Sequence, residues 1–353
     1  VEARTQAEDG WWKYWAGRSE VLAQYLERIV EIERADVEGP VEAGKGRAIK
    51  HKRAQLAAIL KEYGAPPPPW TQISANLLWN IPNTSASQIS MLGKIVGMTF
   101  APMAACSSFG YTLKLAMNAI RSGEAKAVVI GASDPAPHAL SVGAFYDAKV
   151  LAHDGQVSKP LTGLRGTHIA GGGIVWILGD YDYFTSRGLT PLGLEPVGVG
   201  ITADADHIIT PSKEGPLSSI RSALGQADLK PEDVVAWDLH ATATPGDYLE
   251  VENLRDILPE SVLITARKGM FGHGMSVGGG WELMAQYMGY EEGIIPPTPL
   301  RPEELNSQIR KVHERFVFNE AVPFPDGPVG KLSMGVGGVN ACIISKPWDN
   351  KSK

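Results

Sequence analysis

The chain has 353 residues, of which 44% are hydrophobic and 20% charged, a composition that supports a substantial buried core and excludes an intrinsically disordered protein. Its formal net charge of -6 argues against a nucleic-acid partner, because a surface built to hold nucleic acid is strongly basic. Only two cysteines occur, which excludes a disulfide framework and favours a reducing, cytoplasmic setting.

Neither a membrane span nor a signal peptide is predicted. No apolar run approaches the roughly 20 residues needed to cross a bilayer, and the opening residues VEARTQAEDG are too polar for a signal peptide. The chain begins at Val1 rather than at a methionine, so we expect a fragment or a processed start. The two cysteines lie in unrelated settings, and no zinc site is predicted from them.

The first 70 residues are predicted to form a helical N-terminal segment. Apolar residues recur at three- and four-residue spacings from Trp11 to about Ala35, the pattern of an amphipathic helix, and a second helix is predicted from about Ala48 to Tyr63. The glycines at positions 39, 44 and 46 separate the two helices, and the stretch APPPPW ends the second. Such a segment serves either as a docking arm for a partner or as a lid packed on the main domain.

From Ser85 onward, short helical patterns alternate with β-branched runs, which predicts an α/β layered fold. The predicted strands are AKAVVIGAS, GGGIVWILG, DVVAWDLHA, SVLITAR and NACIISK. The glycine runs at residues 171 to 173 and 278 to 280 fit no phosphate-binding fingerprint, so we interpret them as sites of close backbone packing. Each half of this region holds a strand, a turn with a reactive residue and a helix, which is compatible with a duplicated architecture.

Cys106 lies in a stretch of small residues, MAACSS, ahead of a helical pattern. A thiol at the start of a helix faces unpaired backbone amides and the positive end of the helix dipole, and both favour the thiolate. The local sequence leaves two interpretations open, a nucleophile or a small buried core residue. Cys342, inside the apolar run ACIIS, is interpreted as a core residue.

Two of the eight histidines stand among small residues instead of charged ones. His240 ends a predicted strand and opens the loop ATATPGD, and His273 lies in KGMFGHGMSVGGG, five residues after Lys268. No third ligand occurs at a familiar spacing such as HExxH, so a metal site is not predicted. Neutral imidazoles that act as hydrogen-bond donors or bases near a thiol are the favoured interpretation.

The stretch KLSMGVGGVNACIIS is predicted to place Gly335, Gly337 and Gly338 in a loop before a strand. Glycines at this density let backbone amides approach a reacting atom, as an oxyanion hole requires. On its own this signal is weak.

Taken in order, these four stretches resemble the β-ketoacyl synthase family, the carbon-carbon bond-forming condensing enzymes of fatty acid and polyketide synthesis. ACSS matches the nucleophile motif, DLHATATPGDYLE resembles EAHGTGTPxGDxxE, KGMFGHGMSVGG resembles KxxxGHxxxAAG, and SMGVGGVNA is similar to SFGFGGTNA. The resemblance runs from about Asn83 to Ser345. It implies a thiolase-like α-β-α-β-α layered fold built from two similar halves, residues 71–190 and 191–353, with the helical segment 1–70 as an extra N-terminal element.

The resemblance implies a role for each catalytic residue. Cys106 would accept an acyl group as a thioester, and His240 and His273 would stabilise the enolate that forms as a malonyl thioester loses carbon dioxide. Lys268 would orient or electrostatically support the second histidine. The backbone amides of Cys106 and Val336 would form the oxyanion hole.

Further residues would support this site. Asp238 and Glu250 would hold the motif loops, Gly335 and Gly337 would shape the glycine loop, and Met334 would line or gate the pocket together with the Val336 side chain. No cofactor and no metal are implied. The implied partners are an acyl carrier protein that carries acyl and malonyl thioesters, and a second copy of the chain in a homodimer.

The two-histidine pattern favours the elongating, carrier-protein-dependent branch of the family. Thiolases share the fold but need a second cysteine in a CxGGG-like loop, where this chain has GVGGVN. Priming enzymes that use coenzyme A thioesters carry His and Asn, whereas His273 occupies the second position here. Two alternatives remain open: a non-elongating acyltransferase of the same fold, and a non-catalytic partner of the chain-length-factor type, against which Cys106 argues.

Several positions depart from the family pattern. Ala241 and Ala243 replace the glycines of HGTGT, Met334 and Val336 replace the phenylalanines of FGFGG, and Gly172 stands where the family has glutamate. The smaller Val336 puts normal gating of the pocket in doubt. The opening strand and glycine-rich turn of relatives, VVITGMGxxxPxG, is absent before Cys106, so we expect the first half to be incomplete, through truncation, cleavage or a strand supplied by another chain.

Overall fold

The structure is a computed structural model that describes residues 17, 19–34, 45–64, 79, 81–152, 158–163 and 166–348. Parts of three predictions lie outside these residues: the start of the first helix at Trp11, the glycines at 39 and 44, and the stretch APPPPW. The chain falls into two compact units, Val1–Gly93 and Lys94–Lys353. The predicted division of residues 71–353 into two similar halves at residue 190 stays a prediction.

The first unit is helical over its described residues, as predicted for the N-terminal segment. Its helices are α1 Glu20–Arg34, α2 Lys45–Tyr63 and α3 Thr84–Gly93. Leu26 and Ile29 of α1 are buried against Ile59 of α2, and an ion pair of 2.7 Å joins Arg28 to Glu62. The prediction that Gly46 separates the two helices is wrong: it lies in the first turn of α2, because one glycine costs a helix only about 1 kcal/mol.

The second unit is built on a five-stranded sheet and a two-stranded sheet. Its main strands are β1 Ala127–Asp134, β2 Gly172–Gly179, β3 Leu194–Ala203, β4 Ala236–Asp238, β5 Leu263–Thr265, β8 Val329–Gly335 and β9 Val339–Pro347, and β6 Ile294–Ile295 pairs with β7 Val322–Pro323. Its helices are α4 Ser108–Arg121, α5 Ala139–Asp147, α6 Tyr181–Thr185, α7 Glu214–Ala227, α8 Gly246–Arg255, α9 Lys268–Phe271, α10 Gly278–Glu291 and α11 Ser307–Val312.

The order of the large sheet is β3-β9-β8-β4-β5. Strands β3, β9 and β8 are antiparallel neighbours, whereas β4 runs parallel to both β8 and β5. The smaller sheet pairs β1 with β2 in antiparallel register, and no further strand joins it among the described residues. The five stretches predicted as strands are β1, β2, β4, β5 and β9, and these predictions are confirmed.

Two strands of the large sheet do not stand out in the sequence, β3 and β8. Strand β3 reads LEPVGVGITA, and its proline lies at a shift in the pairing register with β9, a position where the missing amide donor is tolerated. Its glycines admit α7: a Cβ on Gly200 would lie 1.9 Å from the carbonyl oxygen of Ser219, and one on Gly198 would lie 2.1 Å from that of Ala223. The glycine loop predicted before β9 is shorter than expected, because β8 continues to Gly335 and only residues 336 to 338 form the turn.

A layer of helices lies between the two sheets. Helix α4 packs through Phe109 and Leu113 against Ile130 and Trp176 of the small sheet, and the same cluster includes Ile343 of the large sheet. Close approach again depends on glycine, since a Cβ on Gly280 of α10 would lie 2.8 Å from the Phe109 ring. The interpretation of the run at 278 to 280 as close packing is thereby confirmed.

Within the part of the chain that the structure describes, no helix combines the length and the apolar character required to cross a bilayer. Over the same residues, no group of three or more His, Cys, Asp and Glu side chains is placed to hold a metal ion.

Candidate active site

Cys106 lies in a tight turn that leads directly into α4. A short 3-10 turn, Ala105–Ser107, precedes the helix, and Ala105 adopts a left-handed backbone with φ of 46°, a conformation that costs a non-glycine residue about 1 to 3 kcal/mol. Side-chain hydrogen bonds hold the turn in place: the Ser107 hydroxyl donates to the carbonyl oxygens of Ser333 at 2.9 Å and Val339 at 2.8 Å. The predicted position of the cysteine at the start of a helix is confirmed.

The thiol of Cys106 is buried, with 5% of the residue exposed. Burial raises its pKa above the usual value, and the negative charge of Asp134 adds to that rise. The charge of Lys268 and hydrogen bonds from the backbone amides of Val336 and Cys106 lower the pKa but do not outweigh burial. The amide at the start of the helix acts in the predicted direction, toward the thiolate, but burial has the larger effect on the pKa of Cys106.

The rings of His240 and His273 lie side by side, with centroids 5.4 Å apart and planes at 83°. His240 follows β4, and His273 follows α9. The backbone amide of His273 donates to the backbone carbonyl oxygen of His168 at 2.6 Å, which fixes this part of the chain. Both side chains are buried, and the Nδ1 atom of each has no hydrogen-bond partner among the described residues. The predicted pair of histidines is thus brought together.

Both imidazoles are held neutral. Burial is the largest cause and lowers the pKa of His240 well below its usual value and that of His273 to about 3. The charge of Lys268 is the next cause for both, and Lys331 acts in the same direction. This agrees with the interpretation of the pair as neutral donors or bases.

Lys268 is the common neighbour of these groups. Its charge acts on the Cys106 thiol and on both imidazoles, so these side chains share one buried region. The ammonium donates to Glu282 Oε1 at 2.7 Å, and both partners of this ion pair are almost fully buried. The structure therefore assembles the thiol, the two imidazoles and the lysine that the sequence singled out.

Two carboxylates shape the loop that follows His240. Glu250 of α8 accepts the backbone amides of His240 at 2.7 Å and Ala241 at 2.8 Å, as expected of a residue that holds the motif loop. Asp247 accepts three more amides of the same loop, at residues 242 to 244, and that of Leu161 at 2.9 Å. Burial raises the pKa of Glu250 to about 7, although the amides of His240 and Ala241 and the charge of Lys331 act to lower it.

Asp238 makes its side-chain contacts on the other side of β4, and among the described residues it has no hydrogen bond to the loop after His240. Its Oδ1 accepts the Thr265 hydroxyl at 2.8 Å and lies 3.5 Å from Arg267 Nε. Both partners belong to or follow β5, so Asp238 fixes the neighbouring strand. Burial raises the pKa of Asp238, and the charges of Arg267 and Lys331 oppose that rise.

The turn between β8 and β9 brings the Val336 amide to the sulfur of Cys106. Gly337 and Gly338 adopt φ of 95° and 67°, and the Gly337 amide donates to Ile208 at 2.7 Å. Gly335 is required for close approach, because a Cβ there would lie 2.9 Å from the Ala104 carbonyl oxygen and 3.2 Å from the Cys106 nitrogen. Two amides therefore face the position of the reacting atom.

The two predicted pocket residues differ in their surroundings. The Val336 side chain is 42% exposed. Met334 is buried in the apolar cluster that also contains Leu332 and Cys342, and it lines a cavity of about 170 Å³ beside α7 and α8. The interpretation of Cys342 as a core residue is confirmed, whereas the gating role of Met334 and Val336 stays a prediction.

The glycine at position 172 has a partner that explains it. A Cβ on Gly172 would lie 2.6 Å from the Trp281 ring, and one on Gly274 would also lie 2.6 Å from it. The Trp281 indole donates to the carbonyl oxygen of Gly173 at 3.2 Å. Trp281 fills the space that a side chain at residue 172 would need, so the departure from the family's glutamate has a steric reason.

Sequence reasoning missed four buried charged residues of this site: Glu282, Lys331, Asp247 and Arg267. Glu282 and Lys331 each interrupt an apolar stretch, GGGWELM and VGKLSMG, and a buried charge requires a partner. That signal was available. Asp247 follows Thr-Pro-Gly, and its position three residues after Thr244 is typical of a side chain that accepts loop amides.

The comparisons with known proteins were made against families, curated relatives and solved structures. The family model "Beta-ketoacyl synthase, N-terminal domain" matches residues 48–179, and "Beta-ketoacyl synthase, C-terminal domain" matches residues 195–300. Nodulation protein E of Rhizobium meliloti is 31% identical over 223 residues, 62% of this chain and 55% of the relative. The 3-oxoacyl-[acyl-carrier-protein] synthase 2 of Vibrio harveyi is 28% identical over 230 residues, with the same coverages of 62% and 55%. The chain thus spans about half the length of these curated relatives.

Two solved structures share the fold. A type II PKS acyl-carrier protein in complex with its ketosynthase bound to the hexaketide matches with a TM-score of 0.73 at 22% identity, over 86% of this chain and 76% of that one. A beta-ketoacyl synthase from Burkholderia phymatum matches with a TM-score of 0.72 at 20% identity, over 83% and 71%. These likenesses confirm the predicted thiolase-like fold.

Proposed function

This chain belongs to the β-ketoacyl synthase family, and from that premise we propose that it catalyses a decarboxylative Claisen condensation of an acyl group on Cys106 with a malonyl thioester. The observation that carries the proposal is the convergence of the thiol, two neutral imidazoles and two backbone amides around Lys268. A thiol alone permits acyl transfer, whereas the paired neutral donors suit the enolate of a decarboxylation.

In the first step, the Cys106 sulfur attacks the carbonyl carbon of an acyl thioester. An imidazole of the neutral pair takes the thiol proton as the new carbon-sulfur bond forms. The carbonyl oxygen becomes an oxyanion, which accepts hydrogen bonds from the backbone amides of Cys106 and Val336. The tetrahedral intermediate then expels the carrier thiolate, which recovers the proton. The raised pKa of the resting thiol makes such a base necessary.

In the second step, a malonyl thioester loses carbon dioxide. The bond between its α carbon and its carboxylate breaks, and the electron pair moves onto the thioester oxygen as an enolate. His240 and His273 each have one N–H to donate to this oxygen while remaining neutral, so they stabilise the charge as it develops.

In the third step, the enolate carbon attacks the acyl carbon on Cys106. A carbon-carbon bond forms, and the two amides again accept the oxyanion. The carbon-sulfur bond then breaks, and the sulfur leaves as a thiolate that Lys268 stabilises until it takes up a proton from solvent, which replaces the one carried away on the first carrier thiol. The β-ketoacyl product remains on the carrier thiol.

We further propose that an acyl carrier protein delivers both thioesters and that the active form is a homodimer. A matched ketosynthase structure is a complex with such a carrier, which supports the first part. The carrier proposal is checked by comparing reaction rates with carrier-bound thioesters and with carrier-free thioesters of the same acyl and malonyl groups. Sedimentation analysis checks the dimer.

The experiment follows the acyl group and the carbon dioxide separately. The protein is incubated with an acyl-loaded carrier protein, the acyl mass is located by peptide mapping, and malonyl carrier protein is then added while carbon dioxide is measured. We expect the acyl mass on Cys106 and not on Cys342. Carbon dioxide should be released when malonyl carrier protein is added, and Cys106→Ala should abolish the release that accompanies condensation.

Other results would contradict the proposal in distinct ways. Acylation without carbon dioxide release would identify a non-elongating acyltransferase. No acylation of Cys106 would identify a non-catalytic partner of the chain-length-factor type.

A further inference from the structure

Lys331 is a buried lysine that the proposed mechanism does not use. It lies on β8 next to Asp238 of β4 in the parallel register, and its exposed fraction is 0%. Lysine is almost never fully buried unless it is paired. The residue also lies on the strand that reaches the Cys106 turn, two residues before Ser333.

The ammonium of Lys331 connects the two sides of the candidate site. It donates to the carbonyl oxygens of Leu332 at 2.6 Å and Leu239 at 3.2 Å, and it lies 2.7 Å from Glu282 Oε2. Leu239 immediately precedes His240, and Glu282 is the partner of Lys268. The ammonium thereby contacts the carbonyl of its own neighbour Leu332, the peptide group that leads into His240, and the carboxylate that binds Lys268.

In this cluster two buried ammonium groups share one carboxylate. Glu282 is the one carboxylate between Lys268 and Lys331, at 2.7 Å from each. Burial alone would raise the pKa of Glu282, but the two lysine charges hold it below the usual value. Burial likewise opposes the charge on Lys331, whose pKa is nevertheless raised by Glu282 and Asp238.

The groups that face this cluster come from every packed element. They are Asp238 of β4, His240 after β4, Glu250 of α8, Arg267 before α9, Lys268 of α9, His273 after α9, Glu282 of α10, Cys106 before α4 and Cys342 of β9, together with Asp134 of β1, whose charge acts on Cys106. Because Glu282 divides its charge between two ammoniums, it does not neutralise Lys268 completely. A residual positive charge is left to act on the thiol and on the imidazole pair.

We propose that Lys331 is a positioning residue of this site, which binds one oxygen of Glu282 and the carbonyl of Leu239 so that the Lys268 charge stays available to the sulfur and the histidines. The inference rests on the proposed function, because this charge stabilises the thiolate and the enolate of the condensation. Stability alone is a weak reason for the residue, since buried ion pairs are often replaced by apolar residues without loss.

The test measures the pH dependence of Cys106 alkylation by iodoacetamide, followed by peptide mass spectrometry on the whole chain. With Lys331→Met, Glu282 is left to neutralise Lys268 alone. The thiolate then loses support, and we expect the alkylation midpoint to move to higher pH by about half a unit or more, or about threefold in rate below the midpoint. Lys331→Arg retains the charge and should stay closer to the native midpoint than Lys331→Met.

Lys126→Met is the matched control, since Lys126 is exposed and its ion pair with Asp180 lies outside the site. It should leave the midpoint unchanged. A folded Lys331→Met protein, checked by thermal melting, that titrates like the native chain would overturn the proposal.

A double-mutant cycle keeps the proposal testable whatever the stability of one variant. Glu282→Gln removes the shared carboxylate, so we expect Lys331→Met to shift the midpoint in that background by less than half of its shift in the native chain. An equal shift in both backgrounds would show that Lys331 does not act through Glu282. If Lys331→Met does not fold alone, Lys331→Gln replaces it in the same cycle, with the same two outcomes.

The alkylation readout uses neither an acyl nor a malonyl thioester, so it separates this proposal from the proposed function. A chain that shows no condensation but responds to Lys331→Met retains the electrostatic role and loses the reaction. A chain that condenses and does not respond retains the reaction and loses the role of Lys331. Where condensation occurs, Lys331→Met should lower kcat for carbon dioxide release more than it raises KM for the malonyl thioester.

Discussion

At Cys106, burial and charge act on the thiol in opposite directions, and burial prevails. The neighbouring imidazoles are neutral for the same reason. A site composed of a protonated thiol and two neutral bases holds its proton internally. In the proposed acyl transfer, the thiol proton passes to an imidazole and then to the carrier thiolate, so that step alone needs no proton from solvent.

The two histidines are predicted to act as donors to the enolate. His240→Leu or His273→Leu, which carry no donor, should each lower carbon dioxide release from the malonyl thioester by about 100-fold or more, because losing one preplaced donor costs about 3 kcal/mol of barrier. Acylation of Cys106, measured by mass, should fall less than decarboxylation. Equal losses in both steps would contradict the assignment.

Glu250 is predicted to matter through the backbone that it holds. Glu250→Gln replaces one acceptor oxygen by an amide donor, so one of the amides of His240 and Ala241 loses its partner. We expect the free energy of unfolding to fall by about 1 to 3 kcal/mol, measured by urea denaturation. Glu252→Gln is the matched control, since Glu252 accepts a hydrogen bond from the Tyr248 hydroxyl at 3.0 Å in an exposed position, and it should change stability little.

Among the elements, the contact of β3 with α7 depends on the absence of side chains. A Cβ on Gly200 would lie 1.9 Å from the Ser219 carbonyl oxygen, whereas Gly225 of the same helix has nothing within 4 Å. Gly200→Ala should therefore destabilise the fold by about 1 to 3 kcal/mol. Gly225→Ala should be neutral or stabilise it by up to about 1 kcal/mol, and thermal melts of both variants check the pair.

The fit between β2 and α10 gives a second prediction at this scale. Gly172→Ala should destabilise the native chain, because its Cβ would meet the Trp281 ring. In a Trp281→Val background, the same substitution should cost less, with a coupling of about 0.5 to 3 kcal/mol between the two positions. Additive effects in urea denaturation would show that Trp281 does not explain the glycine.

For the whole molecule, the buried histidines predict how stability depends on pH. Their folded pKa values are lowered, so between about pH 6.5 and the folded values the unfolded chain binds protons that the native chain does not. Stability therefore rises with pH across this window and is lost as the pH falls. Each histidine should contribute about 1.4 kcal/mol per pH unit between pH 6 and 4.

Urea denaturation at a series of pH values measures this slope. The double variant His240→Gln and His273→Gln should show a flatter profile than the native chain over the same window. A slope that the double variant leaves unchanged would assign the acid sensitivity to other groups.

Much of the fold was readable from local pattern, because β1, β2, β4, β5 and β9 are β-branched runs bounded by small residues. Strand β3 was not, since its proline and glycines serve contacts with β9 and α7 that are distant in sequence. Strand β8 was not predicted either, and its last residue Gly335 was assigned to a loop, whereas this glycine admits the Cys106 turn.

The site was predicted where a residue type carries the chemistry, as with Cys106, His240 and His273. The network around them was not, because Glu282 and Lys331 are single charges whose partner is set by the packing of α10 on β8. The net rise of the Cys106 pKa was not predicted, because burial is a property of the folded chain whereas the helix start is local.

The burial of the Cys106 thiol also affects how the protein responds to oxidants. Peroxide and other oxidants attack thiolates that solvent can reach, and this sulfur offers neither the charge nor the access. We therefore expect Cys106 of the resting chain to form sulfenic acid slowly, and to react with oxidants chiefly when its sulfur is charged.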